Sequence, residues 1–325
     1  MASSSAEGLF LRPEKLKTSQ SVAGLEVTYR ESRSRLNRFG QKEKLGQMFE
    51  NKTLNGSTLK REKYQAEAEY FEFTPQWRYG LTDRWSLHFQ LPLYQVRSQI
   101  KQTQTQITQD FEAQSQSASR PQQPDSLDQG SAQFYLGAAV VGTQLLLLDR
   151  AATRVGFFQT LQLPTASEDD TAYFTQGAPE AFGYGVGAGL SLEQKVGSSL
   201  TFISALSAMT QFEDEVFVEI ENFQNAKTSR NPGEKWKISA FLEQQFLKSH
   251  LLSAGYTREQ KSKDELKVQP VNTEAYRSSD EQKLFLAYEL RDLNSNRFRL
   301  SYSQLVDGYN VMDESAAGFE FRLTY

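Results

Sequence analysis

Stretches in which apolar and polar residues alternate recur along the whole of this sequence, and the segments that join them come in two lengths. Short joins fall at 80–85 (GLTDRW), 147–154 (LLDRAATR), 195–200 (KVGSSL), 246–250 (FLKSH) and 290–297 (LRDLNSNR). Long polar joins fall at about 37–64, 103–130, 166–180, 218–233, 264–280 and 309–315, and the two kinds take turns. Alternation marks a strand with one apolar and one polar face. A meander in which every second connection is short gathers the tight turns at one end and the long loops at the other, which is the layout of a transmembrane β-barrel. The alternating stretches lie near 22–36, 65–80, 85–102, 131–147, 154–165, 181–195, 200–217, 234–247, 250–263, 281–291, 297–308 and 316–325. The expected fold is all-β: a transmembrane antiparallel up-and-down barrel of twelve strands with short periplasmic turns and long extracellular loops. Splitting or merging one hairpin near 200–247 would give ten or fourteen. The even count leaves both termini periplasmic, with residues 22–325 as a single barrel domain and 1–21 as an N-terminal segment that is a candidate plug.

Composition agrees with strands rather than helices as the membrane-crossing unit. Hydrophobic residues make up 38% of the 325 and the mean hydropathy is -0.59. The longest apolar run, Leu145 to Leu148, is far short of the roughly 18–20 residues that a spanning helix needs. There is no Cys and there are two His, so disulfides, thiolate metal sites and cysteine nucleophiles are excluded. The net charge of -4 is spread along the chain without a basic stripe, which speaks against nucleic acid as a partner. The start, MASSSAEGLF, lacks a charged region followed by an apolar one, and is read as that of a mature form.

The faces can be assigned strand by strand. In WSLHFQLPLY the outward set is Trp85, Leu87, Phe89, Leu91 and Leu93, and the inward set is Ser86, His88, Gln90 and Tyr94. In FRLSYSQL, Phe298, Leu300 and Tyr302 face one way and Arg299, Ser301 and Ser303 the other. An apolar outside around a polar inside suits lipid as the outer solvent, whereas a two-sheet sandwich would present polar outer faces and would not sort its connections by length. Trp77, Tyr79 and Trp85 suit an aromatic girdle at the periplasmic interface. The stretch LTFISALSAM alternates poorly, so its inward set stays unassigned.

Two local patterns resemble a known family. YGLTDRWSLHFQLPLY (79–94), a Tyr-Gly-Leu-Thr-Asp turn followed by a strand ending in Leu-Pro, and QTLQLPTASED (159–169), a strand ending in Leu-Pro-Thr, are similar to segments of bacterial outer-membrane proteins of the meta-pathway of phenol degradation. This chain has Ala166 where that family often has Gly. The resemblance implies a transporter barrel of a Gram-negative outer membrane, without enzyme activity. Its partners would be outer-membrane lipid and lipopolysaccharide, the barrel assembly machinery and a small-molecule solute, with no cofactor or metal. The terminal alternation of Phe319, Phe321, Leu323 and Tyr325 with Glu320, Arg322 and Thr324 reads as the strand that closes the barrel, and it resembles the signal by which such proteins are recognised for assembly.

The candidate lumen-lining residues are Glu26, Arg30, Glu72, Arg78, His88, Glu193, Lys237, Glu243, Lys283, Glu289, Arg297, Arg299, Glu320 and Arg322. Such charges fill a lumen by pairing across strands, or form opposed acidic and basic ladders along a narrow hydrated channel. The Arg297, Arg299 and Arg322 group leans toward anions. GYGVGAGLSLE (183–193) contains Gly-x-Gly-x-x-Ala, but the alternation runs straight through it, so it reads as one strand with a side-chain-free inner stripe against which an infolded loop or the N-terminal segment packs. An outer-rim catalytic triad is disfavoured because His88 and His250 both fall near short turns. Acid clusters at Glu168, Asp169, Asp170 and at Glu213, Asp214, Glu215 read as solvated loop charges or cation sites. The readings left open are a passive channel for small solutes, aromatic or hydrophobic ones among them, a closed barrel acting as structure, receptor or adhesin through its loops, and a barrel phospholipase or protease. Leu45, Met48 and Phe49 at helical spacing predict a short amphipathic helix within 38–63, and the Gln- and Ser-rich stretch 102–130, too polar to bury a core, is expected to project outward or to continue as a hairpin before disordering.

Overall fold

The computed structural model describes residues 12, 13, 15–36, 39, 41–44, 48–52, 58–107, 132–165, 184–220, 224–267, 278–292 and 296–325. Twelve antiparallel strands form the wall: β1 (Ser21–Leu36), β2 (Thr58–Thr82), β3 (Trp85–Gln90, resuming at Leu93–Ile107), β4 (Ala132–Leu136, resuming at Ala139–Asp149), β5 (Thr153–Leu163), β6 (Gly185–Lys195), β7 (Leu200–Gln211), β8 (Lys235–Leu247), β9 (His250–Lys261), β10 (Ser279–Arg291), β11 (Arg297–Tyr309) and β12 (Val311–Thr324). Each strand pairs with its neighbours in sequence, and β1 also pairs with β12, from Val22 opposite Thr324 to Leu36 opposite Val311. The sheet is thereby closed. At the seam Ser21 and Tyr325 exchange backbone hydrogen bonds of 3.2 and 2.8 Å, so the final aromatic residue is tied down rather than frayed. None of the described residues is helical.

Every strand carries a large exposed apolar side chain: Leu25, Trp77, Trp85, Leu145, Leu161, Leu190, Leu206, Leu242, Leu252, Leu284, Leu300 and Phe321, in wall order from β1. An apolar surface that encircles a protein far exceeds the few hundred Å² tolerated on a soluble monomer. The solvent around it is hydrocarbon. Behind this belt, Ser86, His88, Gln90, Gln144 and Thr74 are buried, the reverse of a soluble barrel. Strand β7, unassigned from sequence, buries Ile203 and Gln211. The glycine stripe of β6 is filled by the neighbouring strand: a Cβ on Gly189 would collide with the ring of Phe158, as one on Gly255 would with Phe241.

Three expectations are corrected. Met48–Lys52 is a strand that pairs with the start of β2, Met48 opposite Lys63, so Met48 and Phe49 are not helical, and Leu45 lies outside the described residues. The Asn55-Gly56 dipeptide between the paired segments is a strong hairpin signal and outweighs the helical spacing. The connection at 309–315 is no loop: only Asn310 separates β11 from β12, and it takes the left-handed conformation (φ 53°) that Asn tolerates. The segment after β7 forms a hairpin, Asp214–Ile220 with Gln224–Asn231, joined by Glu265–Leu266 into a separate three-stranded sheet. Of the Gln-rich stretch, 102–107 continues β3 and 108–131 lies outside the described residues.

The wall is locally broken where β3 and β4 pause side by side, at Leu91-Pro92 and Gly137-Ala138. Proline has no N–H for the ladder. Repair comes from the Leu-Pro-Thr end of β5: the Thr165 hydroxyl donates to the Gly137 carbonyl and accepts from the Ala139 N–H at 2.9 Å. The Gly137 N–H donates to the Pro92 carbonyl at 2.8 Å, and a Cβ at Gly137 would press on Pro92 and Tyr94. Thr165→Val keeps the shape but leaves both backbone groups unpaired. It should lower unfolding free energy by about 1–3 kcal/mol, read from urea titration of the lipid-folded protein.

Candidate functional site

Two groups of paired charged side chains stand out inside the barrel, one toward each end. Toward the long-connection end, Arg30 on β1 donates to Glu72 on β2 at 2.7 Å and lies 3.9 Å from Glu314 on β12. Lys283 on β10 reaches Glu314 at 2.6 Å and also contacts Glu281. The Thr74 hydroxyl donates to the second oxygen of Glu72 at 3.0 Å. Because Arg30, Glu72, Glu314 and Lys283 are all buried, each depends on the others for the solvation that water would have given.

At the short-turn end, the N-terminal segment folds back into the barrel mouth. Ser19 adopts a left-handed conformation (φ 65°), and the Gln20 N–H donates to the Lys17 carbonyl at 3.0 Å, so the chain reverses sharply before β1. The turn between β2 and β3 then grips it. The Gly80 carbonyl accepts from Ser19 at 2.8 Å and the Gly80 N–H donates to Gln20 at 2.9 Å. A side chain at Gly80 would strike the Lys17 carbonyl. Thr82 caps the turn by accepting from the Arg84 and Trp85 N–H groups at 3.2 and 3.0 Å. Asp83 accepts from both the backbone N–H and the hydroxyl of Thr18, each at 3.1 Å, and these two bonds hold its carboxyl below the usual Asp range.

Further in, Leu16 is buried and Pro13 lies against Gly156, where a Cβ would come within 3.1 Å of it. The Arg12 guanidinium sits between two carboxylates, 2.6 Å from Glu193 on β6 and 2.6 Å from Glu243 on β8. Gln144 of β4 donates to the Arg12 carbonyl at 3.2 Å, and Lys15 pairs with Asp149 at 2.7 Å. Between this segment and the wall lies a cavity of about 380 Å³, lined by Arg12, Lys15, Leu16, Val22, Glu193, Glu243, Leu251, Arg291, Arg297 and Arg322 among others.

Of the fourteen candidates, Arg30, Glu72, Arg78, His88, Glu193, Glu243, Lys283 and Glu289 are buried, while Glu26, Lys237, Arg297, Arg299, Glu320 and Arg322 are half-buried. The pairing brings Arg30 to Glu72, Lys237 to Glu259 at 3.6 Å, and Arg322 to Glu320 on its own strand. Glu26 accepts from Gln76 at 3.0 Å, and His88 Nε2 lies 2.8 Å from the Ser86 hydroxyl. The terminal residues Phe321 and Tyr325 are exposed, and Phe319 packs edge-on to Phe298 with centroids 4.7 Å apart. Of the acid clusters, Glu213 is held by Lys267 at 3.1 Å and by Ser229, and 168–170 lies outside the described residues. His250 meets the Tyr288 hydroxyl at 2.6 Å. Sequence reasoning missed Arg12, Arg291 and Glu314. Arg291 follows Glu289 at the period of two and was legible; Glu314 was hidden by the supposed loop, and Arg12 has no periodic context.

A closed wall of twelve strands, apolar on its outer face and charged within, is that of an outer-membrane β-barrel. The COG4313 outer membrane channel from Pseudomonas putida F1 shares this fold, with a TM-score of 0.61 over 96% of this chain and 98% of that one at 11% identity. The NanC porin aligns at a TM-score of 0.42 over 92% and 97% of the two chains at 8% identity. The deltaS2S3 mutant of the TodX monoaromatic hydrocarbon channel aligns at 0.42 over 95% and 90% at 12% identity. Likeness at such identities is one of fold. No family model matches the sequence, and neither does any curated protein.

Removing one member of the buried pair should be far worse than removing both. Arg30→Met alone is expected to cost roughly 3–5 kcal/mol in unfolding experiments, and the double variant Arg30→Met, Glu72→Met should recover much of this. The Asp83 clamp has its own pH signature. A carboxyl held below its unfolded value of about 3.9 stabilises the clamp fully above that pH and stops doing so as the pH falls through the lowered value. The protection factor of the Thr18 amide, its exchange rate relative to the intrinsic rate at the same pH, should therefore be large at pH 6 and fall below pH about 4, and Asp83→Asn should abolish that fall.

Proposed function

We propose that the protein is an outer-membrane channel for the passive passage of small solutes, with its short-turn end in the periplasm and residues 1–21 as the plug. The observation that carries this reading is the pairing of Arg12 with Glu193 and Glu243 beside the 380 Å³ cavity. A barrel that served only as a surface scaffold would have no need of an internal segment latched through Arg12. Mid-lumen, Phe241 packs edge-on to Phe285 with centroids 5.9 Å apart and Phe158 covers Gly189. These rings favour solutes with an aromatic or otherwise apolar body. In this reading the apolar belt faces outer-membrane lipid and lipopolysaccharide, and the terminal strand is presented to the assembly machinery.

The residues that carry the likeness to the meta-pathway family have defined tasks in the fold. Gly80 and Asp83 hold the N-terminal segment, Thr82 caps the turn that carries them, and Thr165 mends the broken strand. A second reading, a closed barrel acting through its long connections, is favoured by the three-stranded sheet built on 214–231 and 265–266. Planar-bilayer recording separates the two. The intact protein should pass a small steady current, and Arg12→Ala should raise it severalfold by freeing the latch; silence from both proteins would sink the channel and favour the loops.

A further inference from the structure

The turn between β8 and β9 builds a small aromatic cluster on the outside of the wall. The register skips Phe246, since Gln245 opposes Leu251 and Leu247 opposes His250. A bulge of this kind re-aims the side chain that it inserts. Phe246 is exposed and lies against His250 and Tyr288, with centroids 5.6 and 6.4 Å away. Tyr288 shares its strand face with Leu284 and Leu286, and His250 shares its face with Leu252, all three leucines being exposed. The cluster therefore stands on the lipid side, at the short-turn edge of the apolar belt. Its tip, Lys248-Ser249, is braced: the Gln245 amide donates to the Lys248 carbonyl at 2.9 Å, and the Ser249 carbonyl accepts from the Arg291 N–H at 2.8 Å.

Two polar groups of this cluster are open to an outside partner. Lys248 is exposed and holds no carboxylate among the described residues. The flanking turns bring little competition, because 195–200 has no acid and the acid of 290–297, Asp292, accepts from the N–H and the amide of Asn296 at 2.8 and 2.7 Å. His250 Nδ1 meets the Tyr288 hydroxyl at 2.6 Å, and its Nε2 makes no hydrogen bond among the described residues. In the tautomer whose Nδ1 accepts the Tyr288 proton, Nε2 carries the hydrogen and is a donor on the other side of the ring. A long cation beside aromatic rings at the edge of hydrocarbon reaches for the phosphate layer while its stem stays in apolar surroundings. The combination recurs on the β2–β3 turn, where exposed Arg84 precedes Trp85 and Trp77 stacks on Tyr79 with centroids 5.7 Å apart.

We infer that Phe246, Lys248, His250 and Tyr288 form a phospholipid site on the outer wall. The headgroup phosphate meets the Lys248 ammonium and the His250 Nε2–H, and the first stretch of an acyl chain lies against Phe246, Leu247 and Leu252, which are exposed. The site faces the bilayer rather than the lumen, so it stands apart from the channel reading.

The test exploits the scarcity of histidine. The chain has two, His88 and His250, and His88 is buried inside the barrel, which makes it an internal reference. Full-length protein with isotope-labelled histidine, folded in maltoside micelles, is titrated at constant pH and followed by NMR of the imidazole nitrogens. The probes are dihexanoylphosphatidylglycerol, dihexanoylglycerol, which lacks the phosphate, and inorganic phosphate, which lacks the chains. The phospholipid should shift the His250 signals saturably, leave those of His88 in place and bind at least about tenfold more tightly than either fragment. Lys248→Gln should weaken it by about tenfold, while Lys248→Arg keeps most of the affinity. Heat-dependent gel mobility verifies that each variant is folded, and Phe246→Ala, which should weaken the phospholipid but not phosphate, serves if Lys248→Gln does not fold. An unmoved His250, a shift of His88 as large as that of His250, or undiminished affinity in a folded variant would overturn the site. Dihexanoylglycerol binding as tightly as the phospholipid would overturn the role of the phosphate, and inorganic phosphate binding as tightly would overturn the lipid.

Discussion

In hydrocarbon a backbone N–H or C=O has no water to fall back on, and every feature of the wall follows from that. The seam between β1 and β12 exists because an open edge would leave a whole row of such groups unpaired. The same demand explains Thr165. Where Pro92 and Gly137 interrupt two adjacent strands, a side-chain hydroxyl takes over the hydrogen bonds that the ladder cannot make.

Inside, the governing rule is different, since charges that lose water must find one another. Arg30, Glu72, Glu314 and Lys283 do so across four strands at one end. At the other end the wall brings Arg154 to 3.6 Å from Glu193, and a residue from outside the wall, Arg12, bridges Glu193 and Glu243. The N-terminal segment is thus part of the electrostatic balance of the lumen as well as an object within it.

The wall was legible because a period of two is the plainest signal a sequence can send, and because lipid outside and charge inside make the two faces of each strand chemically unlike. Trp85 against Ser86 and Phe89 against His88 could be told apart at sight. What stayed hidden depended on relations between distant segments. The rung of Arg291, Arg297 and Arg322 appears only once register is known, since one residue of slip changes which side chains are neighbours. The partners of Arg12 lie about half the chain or more away. The helix expected around Met48 failed for a local reason, the Asn-Gly turn signal, while Asn310 showed that one residue able to adopt a left-handed conformation can replace a seven-residue loop.

The docking of residues 12–20 bears on how such a wall comes together. Its seam joins the two extremes of the chain, which makes it the longest closure in the molecule and the one with the greatest entropic cost. The N-terminal segment lands on β4, β6, β8 and the β2–β3 turn, none of which belongs to that seam. Once it has landed, the tight reversal at Ser19 sets the start of β1 beside β2 with its other edge turned toward the place that β12 must fill. Docked there, the segment holds one lip of the seam in place, so the contacts that seat it in the barrel mouth also position one end of the wall.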